Sequence, residues 1–568
     1  TAKLFVGTPE RDAAHIVNWF TLATKAPQAT LKHWKQSPRF SMAMLLEQAD
    51  PEALIAHRET VAAYLQTGAL LESLRNGDDK PMDSFIGHYA SPAAYQASLD
   101  RLLEFASAPN CSSPLYQARA YWCAGQLLQR PDHPTADSRT QADHCMALAF
   151  SKIAEASEPF KELPPKSPHA GCGAKRRPGS PSPFVPSCLR ASVPSSPILP
   201  GLRIEAASPV RLDLAGGWTD TPPYCYERGG QVINLAINLD NQPPVRAMVR
   251  TLHEPVLILE SNDLGTHIEL SATEPPCQNV DVHDPFALHK VALDIVGLLP
   301  TAHRNLQSHL KKLGAGLIVS TECRVPKGSG LGTSSILAAT LLAALYETIN
   351  RPATTDQLIA QTLLLEQRLS TGGGWQDQVG GIVGGVKSTT TTPGIPQIPL
   401  VEPLPLSDEL YTALQERFVV YYSGQQRLAR DILRRVMGRY LAREPAILFL
   451  MEDLKKSAQS LRHALLKGNW PAAAREMARY WEIKKQLYPG STTPTIDVLF
   501  LELREHYLAA GLAGAGGGGF SYFFCKDARQ ANRLREHLAA FSSRPGSLGT
   551  LFQTQINRTG LAVTRKST

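Results

Sequence analysis

Residues 327–335, Lys-Gly-Ser-Gly-Leu-Gly-Thr-Ser-Ser, place three alternating glycines ahead of three hydroxyls. The stretch before them, "LIVSTECRVP" (317–326), reads as a strand, and "SSILAATLLAALYETI" after them reads as a helix. Exposed backbone N–H groups at the positive end of a helix form an anion cradle. Gly328, Gly330 and Gly332 would let the chain approach a phosphate closely, flanked by Lys327, Ser329 and Leu331. Thr333, Ser334 and Ser335 add hydroxyls that can donate to phosphate or coordinate Mg²⁺. No Lys-Ser/Thr pair follows the last glycine, so this is not a Walker A loop, and GxGxG spacing is not GxGxxG. The competing reading is an ordinary tight strand-to-helix turn.

Two further groups carry charge. In "SPVRLDLAGGWTDTPPYCYERGG" (208–230), Arg211 and Asp213 share one strand face, and Asp220 follows a Gly-Gly turn at Gly216 and Gly217. An arginine beside carboxylates at a turn suits hydroxyl and phosphate recognition; an ion pair that merely stabilises the turn is the alternative. In "LLLEQRLSTGGGWQDQVGG" (363–381), Glu366 ends a helical stretch, and Asp377 follows a glycine loop eleven positions later. The two carboxylates could face one Mg·ATP site; a solvated Glu366 and a helix-capping Asp377 would be the plainer outcome. A fourth cluster, "AGLAGAGGGGFSYFFC" (510–525), contains GxGxxG at Gly514, Gly516 and Gly519. It leads into a strand where a dinucleotide fingerprint must open a helix. A loop packed under another loop fits it better.

The elements that must position these groups fall into contrasting stretches. Over residues 1–160, the segments 54–66, 93–106, 115–129 and 142–156 repeat apolar residues every three or four positions, which predicts helices and no catalytic constellation. Residues 161–201 are dominated by Pro, Ser and Gly and read as a disordered linker. From 202 onward, alternating stretches predict strands; helices return after Asp284, and Phe520 begins a short late strand. Strands followed by helices indicate an α+β class. The 568 residues are 43% hydrophobic, enough for a sizeable core, and carry 58 Lys plus Arg against 51 Asp plus Glu. Much of that excess sits in the linker, so no basic face for nucleic acid is expected. Nine cysteines without a CxxC pair predict reduced thiols and a cytoplasmic setting. The longest apolar run, 336–346, is too short to span a bilayer. The chain opens on Thr1 in what reads as mid-domain, so a fragment of a longer protein is expected.

The order of these motifs, an Arg-bearing strand and loop, then PxGxGLGxSS, then Glu…Asp, then a late glycine cluster, resembles the GHMP small-molecule kinase family over about residues 203–568. "VRLDLAGGWTDTPPYCYERGGQVINLAI" and "GGGWQDQVGGIVGGVK" resemble its L-fucose kinase branch. Gly216-Gly217-Trp218 stands where many relatives carry Gly-Glu-His, and Asp213 where many carry Asn, a departure shared with the fucose and heptose-phosphate kinases.

The resemblance implies a ribosomal-protein-S5-like half over 202–395 and a ferredoxin-like half over 396–568, with ATP and Mg²⁺ in the cleft between them. Carried over by position, residues 327–335 would bind ATP, and Ser334 (with Thr333 competing) and Glu366 would hold Mg²⁺. Asp377 would act on the anomeric hydroxyl, Arg211 would orient it, and Asp220, Gly217 and Asp213 would meet the sugar. The implied substrates are L-fucose and ATP. A heptose-phosphate 1-kinase and a sugar sensor on a retired kinase scaffold are the alternatives. The helical region is the candidate for self-association, and in related bifunctional enzymes the region upstream is a nucleotidyltransferase.

Overall fold

The computed structural model describes residues 51–85, 92–109, 113–130, 137–156, 197–270, 281, 284–300, 305–326, 328–369, 373–425, 429–543 and 547–567. Before residue 51 it describes the strands Lys3–Val6 and Arg39–Ser41 and a few single positions. The chain divides into two compact units, Thr1–Ala156 with Gly438–Ala446, and Ser157–Met437 with Ile447–Thr568.

The first unit contains helices Pro51–Asn76, Pro92–Ser107, Pro114–Leu128 and Ser138–Ala156 at the places periodicity predicts. Their apolar stripes bury Leu70, Leu74, Leu102 and Leu127, and Trp122 meets Phe150 edge to face. Two features depart from a purely helical region. Lys3–Val6 and Arg39–Ser41 pair antiparallel. The late segment Gly438–Ala446 also belongs here, with Gly438 lying so close to the Trp122 ring that no side chain fits between them. The linker expected over 161–201 lies outside the described residues as far as 196.

Among its described residues the second unit holds three sheets. In the six-stranded one the order is Ala562–Ser567, Leu202–Ser208, Val245–Leu252, Gly316–Cys323, Leu257–Ser261, Thr266–Glu269, antiparallel except between Leu257–Ser261 and Gly316–Cys323. Helix Thr333–Thr348 is apolar nearly all round and is buried on almost every side in the core beside this sheet. A second sheet runs Leu400–Pro403, Val386–Thr390, Gln231–Leu239, Thr554–Ile556, with Val210–Ala215 also paired to Gln231–Leu239. The third is four-stranded and antiparallel, Ala509–Leu512, Phe520–Phe524, Phe418–Tyr422, Thr550–Phe552. This is the α+β arrangement that strands followed by helices predict, with a helical region ahead of it in the chain. No helix among the described residues is long and apolar enough to cross a membrane.

One core group makes stability respond to pH. His289, on helix Ala287–Val296, is 3% exposed and its Nε2 lies 3.0 Å from Thr321 Oγ1. Burial pushes its imidazole from 6.5 down to about 4. Above the upper value both folded and unfolded chains are neutral there. Between the two values only the unfolded chain takes up the proton, so stability falls as the medium is acidified, by about 3 kcal/mol at the lower end. His289→Gln keeps a polar partner for Thr321 and does not titrate. We expect it to flatten the dependence of the urea midpoint on pH between about 7 and 4.5. Parallel curves for the two proteins would show that His289 does not set the slope.

Candidate active site

Strand Val210–Ala215 is buried along its whole length, yet carries Arg211 and Asp213. Arg211 is 3% exposed. Its Nε and Nη2 donate to Asp377 Oδ1 at 3.0 and 2.5 Å, and its Nη1 donates to Asp213 Oδ1 at 3.2 Å and to the Gly330 carbonyl at 2.7 Å. One guanidinium thus joins the candidate base to the glycine loop. Burial alone would lower its pKa; Asp377 and Asp213 more than reverse that, so it stays charged.

Asp377 sits in the first turn of the short helix Gln376–Ile382. It does not cap that helix, whose N-cap is Trp375 without a side-chain bond. Its side chain is 30% exposed and faces the cleft. Helix Thr355–Arg368, opened by a Thr354–Gln357 capping box, brings in Glu366. Glu366 falls on the helix's buried face with Leu358, Ile359 and Thr362, where periodicity would put an apolar residue. Ser335 Oγ donates to Glu366 Oε1. Burial, with Asp377 and Asp220 nearby and against the Ser335 bond, lifts Glu366 to about 8. Asp220 accepts from the Gln376 backbone N–H at 3.2 Å, and burial followed by the Asp377 charge lifts it to about 7.

These groups line one cleft of about 490 Å³ with the glycine loop, Gly217, Trp218, Leu369, Leu433, Tyr480 and Gly514. Glu366 and Asp220 both feel the Asp377 charge, but among the described residues no group of three or more Asp, Glu, His or Cys side chains could hold a metal ion by itself. Mg²⁺ needs only one or two carboxylates when phosphates complete its shell. Glu366 with Ser335 is therefore a fitting pair of protein ligands. The hydroxyl bonded to Glu366 belongs to Ser335; Ser334, the expected partner, and Thr333 line the cleft without a described bond to it, and Ser334 is exposed.

Asp213 differs from expectation. It is 1% exposed, and its two oxygens accept from Arg211, the Gly514 N–H at 2.6 Å, Tyr480 OH at 2.5 Å and Lys484 Nζ at 3.3 Å. Four donors leave no room for a sugar hydroxyl. Asp213 anchors Arg211 instead, its charge favoured by Lys484, Arg211, Tyr480 and the Gly514 N–H against the cost of burial. Lys327, expected in the loop, lies outside the described residues.

The glycine cluster at 514–519 packs under the phosphate-loop candidate. Phe520 N–H donates to Ser329 O at 3.0 Å. Gly330 has φ +81°, and a Cβ there would lie 2.4 Å from Ala513 O. The glycine is thus required by the second loop as well as by any phosphate. Gly330→Ala is expected to cost about 1–3 kcal/mol in stability through strain and collision. Thermal unfolding without and with ATP checks this; a variant that melts with the wild type would separate the two loops.

Tyr480 and Lys484 are site residues that sequence reasoning missed. A signal existed: Met477, Tyr480, Trp481, Lys484 and Leu487 all lie buried on helix Trp470–Leu487, and a lysine there interrupts the apolar pattern.

Residues 298–385 match the family model for the GHMP kinases N terminal domain and residues 461–543 that for GHMP kinases C terminal. The chain is 36% identical over 363 residues to the L-fucokinase/L-fucose-1-P guanylyltransferase of Bacteroides fragilis, covering 63% of this chain and 38% of that protein. It is 25% identical over 334 residues to the D-glycero-alpha-D-manno-heptose 7-phosphate kinase of Campylobacter jejuni, covering 58% and 92%. Among solved structures, the Lin0012 protein from Listeria innocua aligns with TM-score 0.50 at 13% identity, covering 64% of this chain and 99% of that one. The chain therefore spans little more than a third of the length of its bifunctional bacterial relative. The two matched segments hold the glycine loop with both carboxylates behind it and the helix that clamps Asp213, and over them the chain is similar to the N- and C-terminal domains of the GHMP kinases.

Proposed function

We propose that this chain transfers the γ-phosphoryl group of ATP to the anomeric hydroxyl of L-fucose, giving L-fucose 1-phosphate and ADP, as a cytoplasmic salvage step. The observation that carries the reading is the Arg211 bridge, with Asp377 on one side and the Gly330 carbonyl of the loop on the other. In it, the loop N–H groups hold the phosphates. Asp377 accepts the hydroxyl proton as the sugar oxygen bonds to the γ-phosphorus and the bond to the ADP oxygen breaks. Arg211 offsets charge on the transferring group, and Asp220 binds ring hydroxyls. Mg²⁺, held by Glu366 and Ser335 with the phosphates, would neutralise charge on the β- and γ-oxygens. Such a loose transition state asks for positioning and charge compensation more than covalent chemistry.

The heptose-phosphate alternative has support from the Campylobacter relative. A second phosphate, however, calls for an available cation. Among the described residues lining the cleft, Arg211 is the only cation, and the proposed transfer already uses it for the transferring group, which leaves none for a second phosphate. Trp218, Leu369 and Leu433 add apolar surface to the lining of the same cleft, which a 6-deoxy methyl group needs. A retired sensor would have no use for a part-exposed carboxylate on a charged arginine. The test is ADP release measured side by side with L-fucose, L-galactose, D-galactose and D-glycero-D-manno-heptose 7-phosphate. Turnover fastest with L-fucose supports the reading; preference for the heptose phosphate, or no turnover with any sugar, overturns it.

A further inference from the structure

The helix that carries Asp377 cannot hold itself in place. Its sequence, QDQVGGI, spans seven residues and includes two interior glycines and two β-branched residues. A segment that short and that poor in helix formers does not persist on its own. The glycines are there because neighbours occupy their side-chain space. A Cβ on Gly380 would lie 2.4 Å from Arg211 Cβ, and one on Gly381 would lie 2.7 Å from Ile336. The packing that brings Arg211 to Asp377 therefore weakens the helix that presents Asp377.

External donors compensate at the far end. Helix termini leave carbonyls without intrahelical partners. Here Ser208 Oγ donates to Gly381 O at 2.9 Å and Leu561 N–H to Ile382 O at 3.1 Å. The other two bonds come from one side chain: Lys387 Nζ donates to Gly380 O at 2.8 Å and to Val383 O at 2.6 Å. Lys387 is 0% exposed, on strand Val386–Thr390, in register with Asn234, itself opposite Asp213. Burial, with Arg211 nearby, lowers Lys387 to about 7, and its side-chain nitrogen sits at the carbonyl end of the helix whose first turn carries Asp377.

We propose that Lys387 is a positioning residue for phosphoryl transfer, fixing through Gly380 and Val383 the helix that presents Asp377. The inference rests on Asp377 acting on the acceptor hydroxyl. Lys387 lines no part of the cleft described above, so its effect must pass through the helix. A displacement of the order of an ångström at a reacting group can lower a rate by about 100-fold.

The experiment is a double-mutant cycle in the full chain between Lys387→Met and Asp377→Asn, with ADP release, ATP binding and near-UV circular dichroism recorded for each protein. Lys387→Met is expected to lower kcat by about 30- to 100-fold while the Kd for ATP moves by less than about threefold. Added to Asp377→Asn, it should lower kcat by less than about threefold more, because the residue it positions has already lost its function. Lys387→Gln, which keeps one donor, should recover part of the loss. If the two losses multiply, or ATP binding falls along with kcat, Lys387 serves the fold alone and the inference is overturned. The same holds if neither Lys387 variant accumulates as folded protein. Near-normal turnover in Asp377→Asn alone would instead sink the role given to Asp377.

Discussion

Asp377→Asn should bind ATP and sugar nearly as the wild type does and turn over about two to four orders of magnitude more slowly, the usual reach of general-base catalysis. Both Arg211 bonds to Asp377 fall on Oδ1. An asparagine can keep its oxygen there, so the geometry survives while the charge and the proton acceptor are lost. The loss belongs in kcat, since the interaction matters chiefly in the transition state. Excess Mg²⁺ should not restore the rate. Glu366→Gln gives the contrast: it removes the oxygen proposed for the metal and keeps the Ser335 contact, so added Mg²⁺ should recover part of its activity. If Asp377 works mainly by orienting the hydroxyl, the loss sits at the low end with little pH dependence, because a loose transition state asks little of a base. Near-normal turnover of Asp377→Asn, or rescue of that variant and not of Glu366→Gln by Mg²⁺, would reverse the two assignments.

How much of this site was legible in the sequence follows the range of the forces involved. The glycine loop and its helix are local: strand, turn and helix are adjacent in the chain, so spacing alone located residues 328–335. Glu366 was legible as a carboxylate near a helix end, and its burial was implicit in its place on an apolar face. The strand pattern of Val210–Ala215 put Arg211 and Asp213 on one side, and they are bonded at 3.2 Å. What Asp213 faces was not legible. Three of its four donors, Tyr480, Lys484 and Gly514, lie more than 260 positions away. Only the folded chain shows that its lone pairs are spent. The same long range hid the membership of Gly438–Ala446 in the first unit, since nothing in its local pattern distinguishes it from the helices around it. That Ser335 and not Ser334 bonds Glu366 is a matter of helical phase: one residue turns the side chain by about 100°. A motif fixes the region and leaves that choice to the start of the helix.

Asp213 carries the largest expected effect on stability. Arg211 and Lys484 are cations at 3% and 1% side-chain exposure, and Asp213 is the anion they share. Asp377 supplies the other negative charge, but at 30% exposure it is partly solvated. With Asp213 present, two buried cations face two carboxylates. Asp213→Ala removes one and strands a positive charge beside Tyr480 OH and the Gly514 N–H, which lose their acceptor. Breaking a buried ion pair from one side costs about 3–5 kcal/mol, because the remaining charge stays desolvated. Asp213→Asn should cost less, since it preserves shape and an acceptor for the Gly514 N–H, but it still leaves the cations undercompensated. Activity should fall most in Asp213→Ala, where Arg211 loses the partner that sets its angle to Asp377 and Gly330 O, and less in Asp213→Asn, which can keep Oδ1 for both Arg211 and the Gly514 N–H. The readout is the urea midpoint of each variant together with kcat after refolding yields are matched. Adding Lys484→Met to Asp213→Ala should recover part of the stability, since it removes a stranded charge and retains the hydrocarbon stem. If the double variant is less stable than Asp213→Ala alone, the lysine contributes through its 2.7 Å bond to Leu512 O and not through Asp213, and the charge balance drawn here is wrong.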